Sequence, residues 1–103
     1  MTGRARVIVW HKAPAGGPAE LERAYHAISE QLAGTPGMLG NELLRSVQRP
    51  DRFAVLSEWE TLAAFQAWEQ GPDHRSYTSP LRQYQDRERV DGHYEIYEVT
   101  AAH

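Results

Sequence analysis

Apolar and polar positions alternate along RARVIVWHK (4–12), a stretch rich in β-branched residues that runs into the loop APAGGP. This pattern predicts a strand. The alternation sets Val7, Val9 and His11 on one face and Arg6, Ile8 and Trp10 on the other. Both faces carry large groups, so the strand is expected to be covered on two sides, and which face meets the helices stays open. Helical spacing takes over in PAELERAYHAISEQLAG (18–34), where Leu21, Ala24, Tyr25, Ile28 and Leu32 form one apolar stripe. Pro18 suits the first turn, Glu20 and Glu22 favour the N-terminal dipole, and Gly34 with Pro36 stops the helix. Strand patterns return in MLGNELLRSV (38–47), with Gly40 marking an expected bulge, and in FAVLSEWE (53–60). The turn at residues 49–52 should join these two as a hairpin. Thr61 is placed to cap a second helix, LAAFQAWEQ, which Gly71 and Pro72 close. Asp73 and Ser79-Pro80 each suit the start of a further short helical turn, carrying the chain to about Asp86. A last strand, HYEIYEV (93–99), follows the Asp91-Gly92 turn.

The order β-α-β-β-α-β predicts an α+β, ferredoxin-like fold in a single domain over residues 1–103: a four-stranded antiparallel sheet with its helices on one face. The other face still carries apolar and aromatic groups on several strands, and soluble proteins avoid exposing so large a patch. A homodimer, sheet against sheet, is therefore expected, with a cavity left between each sheet and its helices or loops.

Charge and composition narrow the partners. The net charge is −3 and no Lys/Arg stripe is visible, which argues against nucleic acid, since phosphate binding needs concentrated positive charge. The absence of Cys excludes disulfides, thiolate catalysis and Cys-ligated metal. Five His residues occur without HxH or HExxH spacing, so no metal site is expected. No apolar run is long enough to span a membrane, and MTGRARVIVW lacks the apolar core of a signal peptide. The expectation is a soluble, cytoplasmic protein. Ten Arg against one Lys, with plentiful Ala, Gly and Pro, matches high-GC codon usage and an actinobacterial source.

TPGMLGNELLRS followed by RFAVLSEWETLAAFQAWEQGPDHR resembles the antibiotic biosynthesis monooxygenase family of dimeric α+β barrels. The resemblance runs from about Arg6 to Val99. Its markers are the Pro-Gly turn before the second strand, the Glu-Trp ending the third, and a helix with a His-containing exit loop. It implies an oxygenase that needs no metal and often no prosthetic group. An electron-rich phenol or anthrone is deprotonated, its carbanion passes one electron to O2, and the radical pair recombines. Some related members use reduced flavin. Without a Gly-rich dinucleotide fingerprint, a flavin here would be a diffusible co-substrate.

The candidate residues cluster around the second helix. With Leu62 at zero on the helical wheel, Phe65 falls at roughly −60° and Trp68 at roughly −120°, the margin of the apolar stripe. Trp68 is either a wedge in the sheet or a pocket wall that stacks on a planar substrate, with Phe65 beside it. His74 follows the Gly-Pro break and is either a loop or helix-start residue or a base for a phenolic proton near neutral pH. The polyketide oxygenases that this chain resembles carry an Asn-Trp-Tyr set. Here His74 stands six after Trp68 where they have Tyr, and the Asn before the Trp is absent. Tyr77 and Tyr84 are candidates to orient a substrate oxygen or else edge-packing residues. Of Trp10 and His11, at most one faces the helix layer, as a second wall or a second base. Asn41 and Arg45 share a strand face and suit a carbonyl or carboxylate, although a strand-end Arg is often only solvated. Glu58 is expected to pair with Arg52 or Arg45, and His26, His93 and His103 to be solvated.

Three functions follow. The first is a monooxygenase, cofactor-independent or assisted by reduced flavin, acting with O2 on an aromatic polyketide or related polycyclic phenol or quinol. The second is a non-enzymatic binding or cyclase-like accessory module. The third is haem degradation. The haem branch of the superfamily carries its iron-ligating His about one helical turn beyond His74, a distance at which this chain has Thr78.

Overall fold

The computed structural model describes residues 3–72 and 74–103; the side chains of residues 75–78 lie outside this description, and with them that of Tyr77. The elements run β1 (Ala5–Lys12), α1 (Ala19–Leu32), β2 (Met38–Arg45), β3 (Arg52–Trp59), α2 (Leu62–Glu69), α3 (His74–Arg82) and β4 (Tyr94–Glu98). All strand pairs are antiparallel, and the sheet order is β2-β3-β1-β4. This is the expected ferredoxin-like α+β arrangement, with the two early strands β1 and β3 at its centre.

Register decides what each side chain meets. Val7 lies opposite Ser57, Val9 opposite Val55 and His11 opposite Phe53, while Asn41 and Leu43 of β2 continue the same rows across β3. These residues share the face that the helices cover. One core cluster joins Leu21, Ile28 and Leu32 of α1 to Phe53 and Leu81. A second joins Ala5, Val7, Trp59 and Phe65. The opposite face keeps Ile8, Trp10, Leu44, Ala54, Leu56 and Tyr97, with Leu44 41% and Tyr97 43% exposed.

Local chemistry fixes the element ends. Thr61 Oγ1 accepts from the Ala64 N–H at 3.0 Å, as a cap should. Past α1, Gly34 takes a left-handed φ of 84°, and Thr35 returns both its N–H and its hydroxyl to Leu32 O. The bulge at the start of β2 is present, with Leu39 as the extra residue between Met38 and Gly40. The segment after α2 departs from expectation. In place of two short turns it forms one helix, α3, that runs through Pro80. Pro80 cannot donate to the helix ladder, but its neighbour Leu81 is buried in the core, and α3 packs on α1. Beyond α3 the chain pairs with the end of β1, through Lys12 N–H to Tyr84 O and Asp86 N–H to Trp10 O. There Asp86, 5% exposed, receives the Arg52 guanidinium at 2.7 Å. Arg52 is therefore held away from Glu58, which pairs instead with Arg6 at 3.1 Å. No helix among the described residues is long and apolar enough to cross a membrane.

The Pro36-Gly37 turn has a packing reason. Gly37 has φ 81°, its carbonyl accepts from Glu60 N–H at 2.8 Å, and a methyl at its Cα would run into the Ala64 side chain of α2. Gly37→Ala should lower stability by about 1–3 kcal/mol, from left-handed strain plus overpacking. Gly16→Ala, where an added methyl meets nothing, should be near neutral. Urea unfolding of the two variants checks this; equal midpoints would refute it.

Candidate functional site

Between the helix-covered face of the sheet and the helices lies a cavity of about 210 Å³. Its walls are mostly apolar, from Val7, Val9, Ile28, Val55 and Phe65, and a few polar groups converge on them. That combination is what a small-molecule site requires.

The aromatic wall is built outward from the sheet. Trp59 at the end of β3 is fully buried and meets Phe65 edge-on with centroids 5.4 Å apart and Trp68 at a tilt with centroids 5.5 Å apart. Trp68 in turn meets the His74 ring edge-on, with centroids 4.6 Å apart and planes at 85°. Trp59 donates its indole N–H to Ser57 Oγ at 2.9 Å. Trp68 does not match it: its Nε1 is shielded from solvent and has no hydrogen-bond partner among the described residues. A shielded donor without a partner costs free energy unless a ligand supplies an acceptor.

His11 faces the cavity and Trp10 does not, which resolves the choice left open by the alternation of β1. His11 is 2% exposed and its Nδ1–H donates to Val9 O at 2.9 Å. That bond leaves Nε2 as the acceptor. Burial pushes the His11 pKa down to about 4, with the Val9 carbonyl opposing and His93 adding to the fall, so the ring is neutral near pH 7. His93 also lines the cavity, rather than standing in solvent as expected. Its pKa is lowered by burial, with Arg87 and Arg82 contributing.

Asn41 lines the cavity from β2, two strands away and four residues along from His11. Strand geometry separates their Cα atoms by roughly 16 Å, so they serve opposite ends. The remaining expected site residues fall elsewhere. Trp10 points to the open face, where the Arg89 guanidinium lies 3.4 Å from its ring centroid. Arg45 shares the Asn41 face but is exposed at the strand end, outside the cavity. Tyr84 packs beside the core and directs its hydroxyl to Glu20 at 3.3 Å. Tyr25 and Ser29, which the sequence reading did not single out as site residues, enter the cavity from α1. The available signal was the i, i+4 spacing that puts Ser29 on the same side of α1 as Tyr25, a member of the apolar stripe. Among the described residues no group of three or more His, Cys, Asp or Glu side chains is placed to hold a metal ion.

A ferredoxin-like sheet with an aromatic, sparsely polar cavity under its helices defines the class: an α+β protein with a candidate small-molecule site. The sequence profile of the antibiotic biosynthesis monooxygenase family matches residues 5–79, and the chain belongs to that family. It is similar to SchA of Streptomyces halstedii, 32% identical over 81 residues, which are 79% of this chain and 21% of that protein. It is also similar to a haem oxygenase (mycobilin-producing) of Mycobacterium tuberculosis, 42% identical over 59 residues, 57% of this chain and 56% of the other. The chain thus spans about a fifth to just over half the length of these relatives. Among solved structures, SnoaB, a cofactor-independent oxygenase from Streptomyces nogalater, superposes with a TM-score of 0.76 at 17% identity, covering 97% of this chain and 96% of that one. A haem-degrading protein from Mycobacterium tuberculosis gives 0.73 at 27% identity, covering 99% and 97%.

The His11 shift carries a stability consequence. Its folded pKa lies below the ordinary 6.5, so between pH 6.5 and 4 the unfolded chain binds the extra proton. This contribution is complete above pH 6.5 and is lost as pH falls towards 4, by an amount on the order of 3 kcal/mol at most. Urea unfolding across that window should show a shallower pH dependence in His11→Gln than in the native chain. Parallel curves would contradict the assignment.

Proposed function

We propose that this chain is a monooxygenase that oxidises an electron-rich polycyclic phenol, anthrone or quinol with O2, without a bound cofactor. The observation that carries the reading is the indole N–H of Trp68, which has no hydrogen-bond partner among the described residues and is held in an aromatic wall against His74. A planar substrate stacks on that wall, and proton loss to the His74 imidazole makes it electron-rich enough to reduce O2 by one electron. The N–H of Trp68, shielded from solvent in this structure, would have to turn to the cavity to meet the negative charge that develops on oxygen. For an anthrone the balance is one substrate plus O2 giving the quinone plus water: the methylene carbon gains the C=O, and its two hydrogens leave in the water. Membership of the monooxygenase family supports this reaction class. In this reading His11, neutral at Nε2, accepts a hydrogen bond from a substrate hydroxyl at the other end of the cavity.

With 1,8-dihydroxyanthrone as probe, product should form in air and not under anaerobic conditions. Trp68→Phe, which keeps a ring and removes the donor, should lower kcat about 100-fold. His74→Ala should lower it 100-fold or more. Product formed equally without O2 would overturn the reading, and tight probe binding with no turnover would assign a binding role instead.

A second reading, haem degradation, is favoured by the 42% identity to the mycobacterial haem oxygenase. Imidazole is an axial-ligand type for haem iron, and His74 is the cavity imidazole beside the Trp68 wall. A shifted Soret band on haem titration, lost in His74→Ala, would favour it over the first.

The site is proposed to work within a homodimer. Ile8, Leu44, Leu56 and Tyr97 leave an apolar strip on the sheet face that no helix covers, and a second sheet would bury it. Sedimentation should give twice the chain mass, and Leu56→Arg should give monomers. A monomeric native chain would refute the dimer.

A further inference from the structure

We infer that Tyr25 and Ser29 are positioning residues that hold Asn41 as a donor-only contact for a carbonyl oxygen of a polycyclic ligand. The inference rests on reading the cavity as the substrate site. Tyr25 and Ser29 stand four apart on α1 and so share one face of the helix. Both hydroxyls converge on the same atom: Tyr25 Oη donates to Asn41 Oδ1 at 2.5 Å and Ser29 Oγ donates to it at 3.1 Å. A carboxamide oxygen has two lone pairs, and here both are taken. In this orientation the oxygen is engaged on the α1 side, where Tyr25 Oη also reaches the Asn41 backbone carbonyl at 3.3 Å, and Nδ2 is left to face other partners. It makes no hydrogen bond among the described residues, and Asn41 lines the cavity.

An amide free to rotate would accept from a hydroxyl as readily as it donates to a carbonyl. Held with its oxygen between the two α1 hydroxyls, this one turns only its donors to the cavity. In a mostly apolar cavity, a ligand that supplies no acceptor at that point leaves a polar group unpaired, and the site discriminates against it for that reason. The ligand class that satisfies both ends carries a carbonyl towards Asn41 and a hydroxyl towards His11 Nε2. Hydroxylated quinones, anthrones and polycyclic ketones meet that description, whereas arenes without a carbonyl do not.

Two probes of matched shape and charge test this: anthraquinone-2-sulfonate, which has ring carbonyls, and anthracene-2-sulfonate, which has none. Binding is measured by calorimetry without O2 or turnover, so failure of the oxygenase reading leaves the result interpretable. The native chain should bind the quinone at least tenfold more tightly. Asn41→Leu should bring the ratio close to one. Tyr25→Phe combined with Ser29→Ala should cut it several-fold although Asn41 is still present, and a thermal melt confirms that this variant is folded. A purely structural role for the two hydroxyls would weaken both probes alike and leave the ratio unchanged. That outcome, equal native affinities, or no binding of either probe would overturn the proposal.

Discussion

Trp59 is the side chain through which the sheet dictates where the reactive wall stands. It is fully buried at the end of β3, opposite Ala5 on one side and Met38 on the other, and its N–H is satisfied by its own strand through Ser57. Rings of this size bury 150–250 Å² each and gain further from edge and offset contacts. Phe65 and Trp68, one helical turn apart on α2, both seat against this fixed surface as well as against each other. The tight Gly37 turn lets α2 come close enough for this contact. Trp68 then sets the position of the His74 ring across the Gly71-Pro72 break. A rigid strand end thus fixes two groups on a helix end and a following helix, which by themselves would be poorly located.

Much of this order is legible in the amino-acid sequence, because strand alternation, Gly and Pro breaks and the Thr61 cap act locally. The element order follows from them, and each strand and the first two helices fall within two residues of expectation. What local pattern cannot supply is which of two equally bulky faces goes inward. On β1, Val-Val-His competes with Arg-Ile-Trp, and only the pairing with β3 and the packing of α1 and α2 favour the first. The joining of two short turns into α3 depends likewise on Leu81 finding the core, a tertiary contact that overrides the Pro80 signal. The site divides in the same way. Asn41 and Arg45 can be placed on one face by counting, but only the fold shows that one lines the cavity and the other stands exposed at the strand end. Tyr25 belongs to a stripe that reads as core, Ser29 lies outside that stripe, and the partner of both hydroxyls is on another element.

His11 is one of three histidines that line the cavity, with His74 and His93, and burial limits what it can do with a proton. A phenol near its ordinary pKa of about 10 would give a proton to a base with a pKa of about 4 only against some six units, or roughly 8 kcal/mol. His11 is thus a poor resting place for a substrate proton and a good acceptor of a hydrogen bond, because its tautomer is fixed by the Val9 carbonyl. Burial of a single ring accounts for both properties. In the proposed oxidation the base is His74, because its ring meets Trp68 edge-on, so that charge on oxygen and charge on the imidazole would arise next to each other. An ion pair formed in that aromatic surround would be weakly screened, so each charge stabilises the other until electron transfer to O2 discharges the carbanion.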